Sequence, residues 1–156
     1  MNGRVEVYRL ETRLNAAFSR AKATPDLETQ GDLAKHLCVL VSGYLEVSIK
    51  ALLLEHTRAR SGTSVQRYVD SHLKRFSNPN AGKVLGLLGS FDVDWRHDME
   101  GFLVDEKKDA LDSVIALRNQ IAHGETPGVS LARIEAYFEE VKAVIERVAD
   151  LSCPHP

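Results

Sequence analysis

Arg118 and His123 are the residues whose types and spacing most invite chemistry, in the stretch Leu117-Arg118-Asn119-Gln120-Ile121-Ala122-His123-Gly124. Twelve arginines and six histidines yield about half of one such pair by chance in a chain this long, so the spacing alone decides little. Arg67 and His72 repeat it. Context favours the later pair. The apolar stripe runs Leu111, Val114 and Ile115, then Arg118, then Ile121 and Ala122, and Arg118 takes a place where a plain core helix would carry leucine. A guanidinium there must find partners or lie at a shared surface, because burying it alone costs several kcal/mol. On an ideal helix the two side chains stand about 140° apart, so they converge only where the helix bends or stops. Gly124 and Pro127 supply a stop. A histidine at such an end meets the negative pole of the helix dipole, an arrangement suited to proton transfer. Arg67 and His72 show no comparable terminus, and Asp70 lies between them.

The elements that must position this pair read as helices throughout. Breakers fall at Thr24-Pro25, Ser61-Gly62-Thr63, Asn78-Pro79-Asn80 and Thr126-Pro127-Gly128. Between them apolar residues recur at steps of three and four, and no alternating β-branched run competes. Val7, Leu10, Leu14, Ala17 and Ala21 mark a first helix; Leu33, Leu37, Leu40, Tyr44 and the run Ile49 to Leu54 mark a long second one. Shorter segments follow near 64–76 and 81–88. Asp109–Ala122 and a last helix capped by Ser130, with Leu131, Ile134, Phe138, Val141, Ile145 and Val148 on one face, close the chain. The expected fold is all-α, a bundle of about five to six helices whose last two are long and antiparallel. The expected organisation is one domain over 1–156, with the motif region at 109–151 and a tail at 152–156.

Composition narrows the function classes. A chain of 156 residues with 44% hydrophobic and 27% charged residues suits one domain with its own core. A net charge of −2 argues against a polybasic nucleic-acid coat, so any polyanion must be held by a local site. One local imbalance stands out: Arg58, Arg60, Arg67, Lys74, Arg75 and Lys83 face Asp70 alone, whereas eight acidic residues crowd 92–112. A pair of solvated faces is the plain reading; contact of the basic segment with a phosphate backbone is the sharper one. The longest uninterrupted apolar run, near Leu37 to Val41, is far short of the roughly 20 residues of a membrane span, and the charged N-terminus does not suit a signal peptide. No membrane partner is expected. Cys38 and Cys153, far apart, suit a reduced, cytoplasmic protein.

Several other chemistries lack their residues. There is no G-x-x-x-x-G-K-[ST] loop, no H-E-x-x-H, no paired C-x-x-C and no G-x-S-x-G. Gly82, Gly86 and Gly89 read as close helix contacts. His97-Asp98 resembles the central pair of metal-dependent phosphohydrolases, but nothing fixes the further ligands such a site needs.

Arg118-Asn119 followed by His123-Gly124 near the end of a long helix, then a loop and another amphipathic helix, resembles the HEPN superfamily of small all-α proteins defined by an R-x4-6-H motif. Tyr44-Leu45-Glu46-Val47-Ser48-Ile49-Lys50 is similar to the second-helix region of its RiboL-PSP branch. The resemblance implies a metal-independent endoribonuclease, without cofactor, whose site forms across a homodimer. It implies that His123 is a general base or acid on the ribose 2′-hydroxyl or the leaving oxygen. Arg118 would hold the scissile phosphate, and Asn119 would orient the phosphate or the histidine. Cleavage would leave a 2′,3′-cyclic phosphate, and the biological setting would be a toxin or phage-defence effector with an antitoxin or other cognate partner. Glu46 has two readings of equal weight, a partner for the motif arginine or an i, i+4 pair with Lys50. In toxins silenced by nucleotidylation a tyrosine stands two residues after the histidine; here that residue is Glu125. The alternative is a non-catalytic HEPN-like module that binds RNA or a protein. His36, His56 and His155 read as structural or surface residues, and Trp95 as a core anchor.

Overall fold

The computed structural model describes residues 2–155. Seven helices occupy them, with no strand among the described residues: α1 Gly3–Lys22, α2 Leu27–Arg60, α3 Thr63–Leu73, α4 Ala81–Phe91, α5 Val93–Phe102, α6 Asp105–Ala122 and α7 Leu131–Ser152. The expected five to six helices are therefore an undercount. The extra one is α5, which buries only Met99, so its stripe is too thin to show in the sequence. The start of α6 lies four residues ahead of Asp109 because Asp105–Lys108 is a charged turn without an apolar marker.

The core sits around α2, which packs on α1, α3, α6 and α7. It buries Leu37, Val41, Tyr44, Leu45, Ile49 and Leu52 among others, and Phe18 of α1 stacks on Phe138 of α7 at 5.1 Å. By length and composition α2 could cross a membrane, since a span tolerates the scattered polar residues that break its apolar run. More than half of its most apolar stretch is instead buried inside the bundle, as the central helix of a packed core requires. Its apolar arc is wide. Leu40, expected inside, is 38% exposed, with Val39 and Val47 beside it.

Gly3 lets α1 meet α2: a Cβ there would lie 2.8 Å from the Ala51 carbonyl oxygen, and its N–H donates to Glu55. The three spaced glycines of α4 are not all close contacts. Only Gly89 is tight, against Arg96, while a Cβ on Gly86 would meet nothing within 4 Å. Trp95 is half-buried rather than a core anchor, edge-on to His56 at 4.7 Å. The segment expected as a tail is tied down where it begins. Ser152 is the buried last residue of α7, and the Cys153 carbonyl accepts from Arg4 Nε at 2.9 Å. Met1 and Pro156 lie outside the described residues.

Candidate active site

The end of α6 is built by its own backbone. His123 is the cap, Gly124 follows at φ 80°, the Gly124 N–H donates to the Ile121 carbonyl at 3.1 Å and the Glu125 N–H to the Gln120 carbonyl at 2.9 Å. This is a Schellman motif, with glycine in the left-handed position that a side chain resists. The stop expected from Gly124 and Pro127 is thus where the sequence puts it. The turn leaves His123 exposed, with its N–H still donating to the Asn119 carbonyl at 3.1 Å.

Arg118 sits one turn earlier and is half-buried. Its Nη1 donates to the Asn119 side-chain oxygen at 3.4 Å, and no carboxylate pairs with it among the described residues. Asn119 is thereby joined to Arg118, and it also walls a hollow with Asn80, Gly82 and Ala116. No hydrogen bond links Arg118 to His123 within one chain. A half-buried cation without a counter-charge favours an anion arriving from outside.

Glu46 belongs elsewhere. One of its oxygens accepts from Lys50 Nζ at 2.8 Å and the other from the Asn78 N–H at 3.0 Å. The i, i+4 pair is therefore present and a bond to Arg118 is not. The second bond was not expected. It fixes Asn78, which stands at φ 49°, in a conformation asparagine tolerates better than most residues. Asp112 holds the other side of that loop by accepting the Ala81 N–H at 2.9 Å.

His97-Asp98 does not form a metal centre. Both Asp98 oxygens accept from Arg147, at 2.8 and 2.7 Å, and that guanidinium holds the carboxyl below its usual range. No group of three His, Cys, Asp or Glu side chains is placed to hold a metal ion among the described residues. Cys38 is sealed in the core with its thiol pushed up to about 11 by burial, which makes it a poor nucleophile. His56 is structural, its Nδ1 bonding the Ser152 carbonyl at 2.8 Å; His36 and His155 are exposed.

The RiboL-PSP-HEPN family model matches residues 6–153. The chain belongs to the RiboL-PSP-HEPN family. No curated protein and no solved structure matches it. In this HEPN domain the match runs from α1 to the C-cap of α7, so the first helix, which contributes little to the motif resemblance, is part of the family unit. The earlier Arg67/His72 pair falls inside it as well. That pair does end a helix, because α3 stops at Leu73, five residues before the Asn78-Pro79-Asn80 breaker. Asp70 pairs with Lys74 at 3.3 Å and not with the histidine. What sets the pairs apart is that His72 stacks on Tyr68, whereas His123 stands free at a glycine-closed end.

Proposed function

We propose that this HEPN domain is a metal-independent endoribonuclease that works as a homodimer, with the α6 ends of two copies meeting near the two-fold axis. The observation that carries this reading is the half-buried Arg118, left without a carboxylate partner one turn before an exposed imidazole. Arg118 holds the scissile phosphate and stabilises charge as the transition state forms, and Asn119 steadies the guanidinium. An imidazole takes the proton of the ribose 2′-hydroxyl. The 2′-oxygen then bonds to phosphorus as the P–O5′ bond breaks, and a protonated imidazole donates to the departing 5′-oxygen. One fragment ends in a 2′,3′-cyclic phosphate, the other in a 5′-hydroxyl. With His123 from each copy at the axis, base and acid are both supplied.

Support for the dimer comes from α2, where Val39, Leu40 and Val47 form an exposed apolar stripe that an isologous contact would cover. The setting that fits is a cytoplasmic toxin or phage-defence effector restrained by a cognate protein. The test is incubation of the purified protein with RNA in EDTA, with analysis of fragment ends. Cyclic phosphate ends absent from the Arg118→Ala/His123→Ala double variant support the reading. Equal degradation by the double variant, or none by either protein, leaves a HEPN module that binds without cutting.

A further inference from the structure

The six basic residues from Arg58 to Lys83 are exposed, and three of them, Arg60, Arg75 and Lys83, line adjoining hollows. A hollow of about 420 Å³ between the end of α2, α3 and α4 is walled by Arg60, Tyr68, His72 and Phe91, among others. Its size lies within the roughly 300–1,000 Å³ usual for sites that take small ligands. It shares His72 and Ser90 with a second hollow of about 330 Å³, where Arg75, Lys83 and Gly86 form the wall. Next to Lys83 along α4, Gly82 lines the third hollow, whose far wall is Asn119 of the motif. The first two hollows adjoin through His72 and Ser90, and the third lies beside α4, one residue along from Lys83.

The chemistry of the first two hollows is uniform. Neither of the first two hollows has an Asp or Glu in its wall. Among the described residues the Arg60 side chain bonds only the His56 carbonyl at 3.5 Å and the Lys83 side chain only the Ser77 carbonyl at 3.1 Å, so these charges remain available. Tyr68 is 70% exposed and Val65 50%, and the Tyr68 ring lies within 23° of parallel to His72. An exposed, near-parallel aromatic pair beside cations adds nothing to the core. It does offer a flat face to an unpaired base while the cations take the phosphates. In the third hollow, Asp112 is held by the Ala81 N–H and Lys108, which limits its repulsion of a phosphate.

We propose that this α3–α4 groove binds single-stranded RNA, with Tyr68 and His72 stacking a base and Arg60, Arg75 and Lys83 following the backbone toward Asn119 and Arg118. This deepens the proposed function and rests on the Arg118/His123 site as the point of cleavage. A duplex hides its base faces and gains nothing from the aromatic pair.

The test uses the full chain carrying His123→Ala, titrated with a fluorescent single-stranded RNA of about 15 nucleotides. Adding Arg60→Glu, Arg75→Glu and Lys83→Glu is expected to weaken binding by about tenfold or more and to reduce the salt slope by about 2. Tyr68→Ala is expected to weaken binding about tenfold with the slope unchanged. Should the triple reversal unfold, as read by circular dichroism, Arg75→Gln/Lys83→Gln serves in its place, with a slope lower by about 1. Unchanged affinity in these variants overturns the groove, as does duplex RNA binding as tightly as single strands, or preference for an acidic polypeptide. The two readings separate cleanly. Groove-dependent RNA binding by a wild-type protein that never cuts removes the nuclease and leaves the groove. Loss of cutting in His123→Ala alone, with groove variants that bind and cut as wild type, removes the groove and leaves the nuclease.

Discussion

Three arginines in this bundle occupy partly buried positions, and two of them are fully knitted. Arg4 reaches the Cys153 carbonyl, Glu146 and Asp150, at 2.9, 3.1 and 3.1 Å, and so fastens the start of α1 to the end of α7. Arg147 grips Asp98 with two bonds and lies over the Phe102 ring at 5.2 Å, which joins α7 to α5. Arg118 has one 3.4 Å contact with its neighbour Asn119. A guanidinium whose donors are spent on carboxylates holds helices together, whereas one left with donors to spare is suited to an incoming anion. The same contrast separates the two ends of the molecule. At the α1–α7 seam Arg4 is paired with two carboxylates, and near the α6 terminus Arg118 has only a neighbouring amide among the described residues.

The sharpest way to break this comparison is to remove the imidazole. His123→Ala is expected to lower RNA cleavage by about 10²–10⁴-fold, the range for a lost acid–base group, with the thermal midpoint unmoved because the side chain is exposed. Cleavage kinetics and a melting curve on the same preparation check both halves. Next comes assembly. Val47→Glu places a charge on the exposed α2 stripe and is expected to yield monomers by light scattering, with cleavage falling in step. A monomer that cuts normally would separate the site from the dimer.

At the structural arginines the expectation reverses. Arg147→Ala and Asp98→Asn are expected to lower the thermal midpoint while leaving cleavage intact. The pH dependence has a definite sign. The Asp98 carboxyl is held below its ordinary range by Arg147, so at acid pH the unfolded chain binds more protons and stability falls as pH falls through the carboxylate range. Urea midpoints from neutral to acid pH should decline more steeply for the wild type than for Asp98→Asn. The smallest effect belongs to Glu46→Ala, which removes the acceptor for the Asn78 N–H. A loss of about 1 kcal/mol and faster amide exchange at Asn78 are expected.

Much of this was legible in the sequence where periodicity and stop signals agree. Ser130 caps α7 by accepting the Arg133 N–H, and Gly124 closes α6, because capping chemistry is local and its residues are distinctive. α5 was not legible, since a short helix that buries only Met99 leaves no stripe to find. Glu46 was half legible. Its pair with Lys50 lies within one helix, but its bond to Asn78 crosses from α2 to the α3–α4 loop, and spacing along the chain carries no trace of that. The groove was visible only as a charge imbalance. Nothing in the order of residues told that Arg60, His72 and Lys83 line adjoining hollows, because the loop that brings α4 beside α3 is set by Glu46 and Asp112 from two other helices. Exposed Tyr68 within that basic run was the signal available.

The role of Arg118 as the phosphate-holding cation is tested most directly by Arg118→Ala, assayed for RNA cleavage in EDTA and for thermal stability beside Arg147→Ala. Cleavage is expected to fall by about 10²–10³-fold with the Arg118→Ala midpoint at the wild-type value, and the opposite pattern is expected for Arg147→Ala. An Arg118→Ala protein that cuts RNA normally yet melts as early as Arg147→Ala would make Arg118 one more structural arginine and remove it from the site.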